Sequence, residues 1–264
     1  MKKILFVFSI FFINFLSAQT ADEIIDKYLK NIGGKEKLSQ IKTLKIQAKA
    51  MQQGMEIPIE IIMTADGKQY ISAEIQGKKI VQLAFDGETA WHTNFMNMEP
   101  EKSDSETAQN LKKNLKGEFP IPFLNYKDKG YKVEFIGKEE VEGAETYKIK
   151  LTEHPVTMDG KEVPKEVYYY FDTENYVPIV AEEEIKKGQF KGAKVQQVFS
   201  DFQEVDGIYF PFSTAQKFNG MTGSEVKVVK IEINPQIDEN IFKFVPASKT
   251  TESKTDEKTG DTKK

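Results

Sequence analysis

Residues 43–63 read TLKIQAKAMQQGMEIPIEIIM, and the fold follows from their spacing. Leu44, Ile46, Ala48 and Ala50 alternate with Lys45, Gln47 and Lys49, and Ile57, Ile59, Ile61 and Met63 alternate with Glu56, Pro58, Glu60 and Ile62. A period of two sends successive side chains to opposite faces of a strand, so each segment has one apolar and one mostly polar face. The pattern recurs at Ile71, Ala73 and Ile75 and at Val81, Leu83 and Phe85, with Asp66-Gly67 and Gln76-Gly77 between the segments as turns. Four such segments predict an antiparallel meander.

Toward the N-terminus the period changes to that of a helix. Thr20-Ala21-Asp22-Glu23 fits a capping box, and Ile24, Ile25, Tyr28, Leu29 and Ile32 fall on one helical face before Gly33-Gly34. A helix is predicted over 21–32, with a shorter turn over 36–40. Toward the C-terminus the strand pattern stops after Trp91. Asn94 to Tyr126 is a long excursion with a Met-rich stretch (NFMNM), a helix start at Ser103 to Glu106 and the apolar run Phe119 to Leu124. Strand signals resume around Tyr131, Tyr147, Val167, Ile179, Val195, Tyr209 and Val226, with Asp159-Gly160, Asp206-Gly207 and Asn219-Gly220 as further turns. Ten or eleven hairpin-connected strands must curl, and a sheet apolar on one face needs a cover. The expected fold class is mainly β with covering helices: a strongly curved antiparallel sheet or half-open β-barrel, with the 21–32 helix and the 94–126 excursion on its concave side.

The two ends read differently. Lys2 and Lys3 precede an apolar run from Ile4 to Leu16 and then Ser17-Ala18, the layout of a secretory signal peptide over 1–18. The run is shorter than the ~20 residues that span a bilayer core. Ala247 to Lys264 has no apolar side chain larger than Ala and mixes five Lys with four acids, which predicts a disordered polar tail. Residues 19–246 are then a single domain, exported and without a transmembrane anchor.

Composition narrows the chemistry. The 264 residues carry 37 basic and 41 acidic side chains, every basic one a Lys. Without guanidinium forks or a basic excess, nucleic acid is not an expected partner. Zero Cys removes disulfides, thiolate nucleophiles and an N-terminal lipidation site. His92 and His154 stand apart from any second ligand at metal-binding spacing, and no nucleophile elbow, P-loop or dinucleotide loop occurs. Glu139-Glu140 and Glu182-Glu183-Glu184 resemble solvated outer faces more than an acid and base pair. No cofactor and no enzymatic activity are expected. What remains is a pliable apolar lining, for which Ile59, Ile61, Met63, Leu83, Phe85, Trp91, Phe95 and Phe123 are the candidates.

Several segments together resemble the outer-membrane lipoprotein-sorting proteins of the LolA-like family. They are Phe85-Asp86-Gly87-Glu88-Thr89-Ala90-Trp91, Gly143-Ala144-Glu145-Thr146-Tyr147, Tyr170-Phe171-Asp172-Thr173-Glu174-Asn175-Tyr176-Val177-Pro178 and the run from Val198 through Asp206-Gly207 to Phe212, after the opening Ala21 to Leu38. The resemblance implies a half-open barrel whose lidded concave face holds the acyl chains of a lipoprotein or lipid crossing the periplasm, with envelope donor and acceptor proteins as partners. The characterised carrier regulates its lid through an arginine, which this chain lacks. Two other readings stay open: an envelope scaffold or interaction module with a closed core, and a hydrolase with two converging carboxyls.

Overall fold

Thr20 closes the expected capping box. Its hydroxyl accepts from the Glu23 N–H, and the Glu23 carboxylate accepts from the Thr20 N–H at 3.1 Å, which satisfies two of the orphan donors of α1 (Ala21–Asn31). Ile24, Ile25, Tyr28 and Leu29 share its buried face. The link to α2 (Lys35–Gln40) requires glycine: Gly33 has φ +129°, and a Cβ there would lie 2.7 Å from the Gly207 carbonyl oxygen. That close approach lets the Ile32 carbonyl accept from the Tyr209 N–H at 2.9 Å, seating the end of α1 on the sheet.

The computed structural model describes residues 20–52 and 54–246. The expected leader over 1–18 and polar tail over 247–264 lie outside the described residues. In chain order the strands are β1 (Thr43–Gln52), β2 (Met55–Thr64), β3 (Gln69–Ile75), β4 (Lys78–Phe85), β5 (Ala90–Thr93) and β6 (Pro100–Lys102). After α3 (Ser105–Glu118) come β7 (Lys132–Val141), β8 (Ala144–Thr152), β9 (Val156–Met158), β10 (Lys161–Val163) and β11 (Glu166–Asp172). The last four are β12 (Pro178–Glu184), β13 (Lys194–Val205), β14 (Ile208–Phe218) and β15 (Met221–Ile233). Thirteen strands form one antiparallel sheet in the order β6-β5-β4-β3-β2-β1-β15-β14-β13-β12-β11-β8-β7, while β9 and β10 pair only with each other. The sheet is curved and does not close. Register shifts in the β1–β15, β3–β4, β7–β8, β11–β12 and β14–β15 pairs each add local twist.

One face carries the main core. Leu44, Ile149, Leu151, Phe171 and Ile231 pack there against α1 and against the segment Phe119 to Tyr131 that follows α3. The expectation of a single apolar face holds for most of the sheet and fails on β2 to β5. Ile62, Tyr70 and Ala84 point to the opposite, convex face, where they bury Phe242 from the 3-10 turn Glu239–Phe242. Val81 joins this convex cluster because the β3–β4 register shift between Ile71 and Ser72 turns it away from Leu83 and Phe85. The helix expected in the excursion forms as α3, capped by Asp104, whose carboxylate accepts from the Thr107 N–H at 2.7 Å. The excursion is not wholly free of strands, since Pro100–Lys102 pairs with β5.

Candidate functional site

The concave face is unevenly covered, and the reason is length. An 11-residue helix such as α1 spans about 16 Å. The 12 residues of β13 extend about 40 Å. The helix is fastened at one end of these strands: Asn31 donates to the Asn175 carbonyl at 2.7 Å, and Lys27 donates to the Tyr176 hydroxyl at 3.0 Å, both in the β11–β12 turn. Among the described residues, no helix packs closely over the far halves of β12 to β15.

A cavity of about 640 Å³ occupies that uncovered half. Its floor comes from alternate residues of four neighbouring strands: Ala181 and Glu183 of β12, Val195 and Gln197 of β13, Thr214 and Gln216 of β14, Ser224 and Val226 of β15. Val156, Met158 and Pro164, from the β9–β10 hairpin and the residue just beyond it, form a side wall. Ile185, Lys186 and Lys187 form part of its mouth. Register places Ala181 opposite Gln197, Gln197 opposite Gln216, and Gln216 opposite Ser224, so a polar rung crosses a floor that Ala181, Val195 and Val226 make partly aliphatic. Neither the Gln197 nor the Gln216 side-chain amide is hydrogen-bonded among the described residues.

The hairpin wall is held by α3. Asn110 donates to the Thr157 carbonyl and accepts from the Thr157 N–H, both at 2.7 Å, and Glu106 accepts from the N–H groups of Asp159 and Gly160. At the end of α3, Glu118 pairs with Lys165, which also donates to Glu153 at 3.2 Å. Burial raises the Glu153 carboxyl above the usual carboxylate range, and Lys165 opposes that rise. Burial alone would lower Lys165, yet Glu118 and Glu153 hold its ammonium above its ordinary value. Nearby Lys129, desolvated beside the Ile121 and Pro122 carbonyls, falls to about 8.

Glu183 lines the cavity, where its side chain stays exposed. Desolvation raises its pKa, with Lys165 pulling the other way. A carboxyl whose folded pKa exceeds its unfolded value costs stability once ionised, and that cost disappears as pH falls through the folded pKa toward 4.5. Glu183→Gln is therefore expected to raise the thermal midpoint at pH 7, with the gain fading to nothing below pH ~4. Thermal unfolding followed by circular dichroism across pH 4–8 checks this, and a pH-independent gain would contradict the assignment.

The eight residues expected to line a pocket separate into four groups. Ile59, Ile61, Met63 and Leu83 lie half-buried on the concave face but border no part of the large cavity. Phe85 and Phe123 lie on the inner side too, yet they are core: Phe85 is 0% exposed and Phe123 1%. Trp91 belongs to the convex face, where its indole N–H donates to the Phe242 carbonyl at 2.9 Å. Phe95 is 66% exposed at the β5–β6 turn and borders no part of the large cavity. The cavity residues escaped sequence reading for identifiable reasons. Three-residue strands such as Val156–Met158 are too short to show a period, and Val195-Gln196-Gln197-Val198-Phe199 alternates cleanly for neither face. The Asp159-Gly160 turn was the one available signal for the hairpin. His92 lies beside Ser103 and His154 packs edge-on to Tyr131. Among the described residues no group of three or more His, Asp or Glu side chains is arranged to hold a metal ion.

The chain has the LolA-like fold. It superposes on a domain named for outer-membrane lipoprotein sorting from Vibrio parahaemolyticus with a TM-score of 0.52 and 10% identity, covering 83% of this chain and 94% of that one. A LolA superfamily protein from Nitrosomonas europaea gives 0.51 and 14%, covering 86% and 99%. A DUF1329 family protein from Desulfovibrio piger gives 0.52 and 12%, covering 84% and 96%. No protein-family model and no curated protein matches the sequence.

Proposed function

We propose that this protein is a non-enzymatic carrier of the cell envelope, exported by its leader into the periplasm, which shields the acyl chain of a lipid or lipoprotein in the concave cavity. The observation that carries this reading is the cavity of about 640 Å³ between the uncovered sheet and the α3-clamped hairpin. Its volume falls within the range of ligand pockets. Val156, Met158, Ala181, Ile185, Val195 and Val226 offer it an apolar surface. Each CH₂ group of a bound chain gains roughly 0.8 kcal/mol on leaving water, so affinity needs no catalytic grouping. The Gln197, Gln216 and Ser224 rung with Glu183 suits the ester or amide at the polar end of such a chain, since those side chains have hydrogen-bonding capacity to spare.

Native mass spectrometry with organic extraction, on protein purified without detergent from the cells that make it, tests the reading. Extra mass that extracts as lipid or acylated peptide supports it. A bare chain that takes up no added lipid would favour the scaffold with a closed core. Ala181→Trp supplies the residue-level test: the indole would fill the floor between Tyr169 and Gln197, its register neighbours, and retained lipid should fall at least tenfold with circular dichroism unchanged. Retention equal to that of the parent protein would exclude this cavity as the binding site.

A further inference from the structure

We infer that one end of the sheet, the end where the cavity opens, is a docking surface for an anionic phospholipid bilayer. Hairpin turns of an antiparallel sheet alternate between its two ends, and the pairing of Met51 with Glu225 puts the β1–β2 and β14–β15 turns at the same end. The β3–β4, β5–β6 and β12–β13 turns join them there. All five turns display large apolar side chains to solvent. Ile75, Met55 and Met221 stand at three of them, Phe190 at the fourth, and Met96, 97% exposed, at the fifth with Phe95 and Met98. Phe190 and Phe218 meet edge to face at 5.3 Å, joining two of the turns into one apolar surface. Ile185, Lys186 and Lys187 of the β12–β13 turn also line the cavity mouth, so the surface and the cavity are continuous.

The opposite end supplies the contrast. Its turns are built on Asp66-Gly67, Asp86-Gly87, Glu142-Gly143 and Asp206-Gly207 together with the longer Asp172 to Pro178, and within these turns and the strand residues beside them Tyr209 is the one large apolar side chain exposed among the described residues; Val245, past the 3-10 turn and next to Phe244, whose ring meets Trp91, is exposed as well. Over residues 64–69, 85–90, 141–144, 172–178 and 205–208 there are one Lys and seven carboxylates, and the α1–α2 segment seated at that end adds five Lys and one carboxylate over 27–42, which leaves its sign acidic. Over 51–56, 75–79, 94–99, 185–194 and 218–222 there are six Lys and two carboxylates. The β8–β11 connection at this end adds two Lys and three carboxylates over 153–165, which leaves the sign unchanged. Four of the six turn lysines also pair with neighbouring carboxylates, while Lys78 and Lys191 form no ion pair among the described residues. An anionic surface therefore repels one end and is accepted by the other, and apolar tips set among lysines are the chemistry of an interfacial contact. Such an orientation places the cavity mouth against the lipid.

Flotation with phosphatidylcholine vesicles, with and without phosphatidylglycerol, tests the docking. The exported protein is used, its N-terminus verified by mass so that no leader contributes. Binding is expected to be at least tenfold tighter to the anionic vesicles and to weaken as salt is raised. Joint Met55→Ser, Phe190→Ser and Met221→Ser substitution should cost at least tenfold, while Tyr209→Ser at the other end should change nothing. No binding to anionic vesicles, undiminished binding by the triple variant, or an equal loss with Tyr209→Ser would each overturn the inference. Vesicle binding and lipid retention are separate readouts. A chain that docks but never carries lipid sinks the carrier reading alone, and one that carries lipid without docking sinks this one alone.

Discussion

Phe123→Ala is expected to lower the free energy of unfolding by about 3–5 kcal/mol, the range for deleting a large buried aromatic side chain. Phe123 is 1% exposed, and its ring meets Tyr169 at 4.8 Å, Phe171 at 5.4 Å and Tyr28 at 6.0 Å, all edge to face. The group ties α1, the segment after α3 and β11 into one unit. Truncation removes the transfer free energy of the ring and leaves a void that three fixed aromatic neighbours cannot close. Aromatic pairs in this geometry add ~0.5–1.5 kcal/mol each beyond area burial, so the upper half of the range is the expectation. Denaturant unfolding measures it. A loss under about 1 kcal/mol, together with lost lipid retention, would mean that Phe123 belongs to a deformable pocket as its sequence position suggested, and not to the core.

Lys165→Met is the second large effect, and it works through charge. Lys165 stands between Glu118 and Glu153, and the Glu153 side chain is 2% exposed. Removing the ammonium leaves a buried carboxylate with no compensating charge, a change that costs about 3–5 kcal/mol in fully buried pairs. Lys165 keeps 20% of its side chain in contact with solvent, which places the expectation at the low end. The pH dependence identifies the cause. Without Lys165 the Glu153 carboxyl rises further above its unfolded value of 4.5, so the variant should regain stability as pH falls through that raised value, and the deficit should be largest above neutrality. Adding Glu153→Gln should recover part of the loss, since a neutral amide requires no counter-charge. Equal deficits at pH 4 and pH 8, or no recovery in the double variant, would refute the electrostatic account. The same pair anchors the C-terminal end of α3, so the hairpin wall of the cavity should loosen in Lys165→Met, and lipid retention should fall with stability.

Local patterns were reliable wherever one signal dominated. The Thr20 to Glu23 capping box, the Asp104 helix start and the Asp66-Gly67, Asp206-Gly207 and Asn219-Gly220 turns all occur where their residue chemistry puts them, because a cap or a turn is decided by a few adjacent residues. Alternation over 44–63 likewise sets a face for every side chain, since β1 and β2 pair without a slip. Failures came where a distant segment or a register shift intervened. Ile62 occupies a nominally polar slot because Phe242, 180 residues later, covers it. Hydrophobicity alone puts Trp91 on the inner lining, whereas its register opposite Ala84 sends it to the convex face.

Hydrophobic period, caps and turn residues suffice to specify a mainly antiparallel sheet with an N-terminal helix, because they act over a few positions and need no knowledge of the rest of the chain. The place of the cavity, by contrast, is set by long-range packing. A cavity is the space that packing leaves unfilled, and here that depends on a short α1 anchored at the β11–β12 turn, on a hairpin clamped by Asn110 and Lys165, and on the adjacency of β1 to β15, which are far apart in the chain. None of those relations has a local signature. The apolar tips at one end are individually visible in the sequence, but only strand order gathers Met55, Ile75, Phe190 and Met221 at the same end of the sheet.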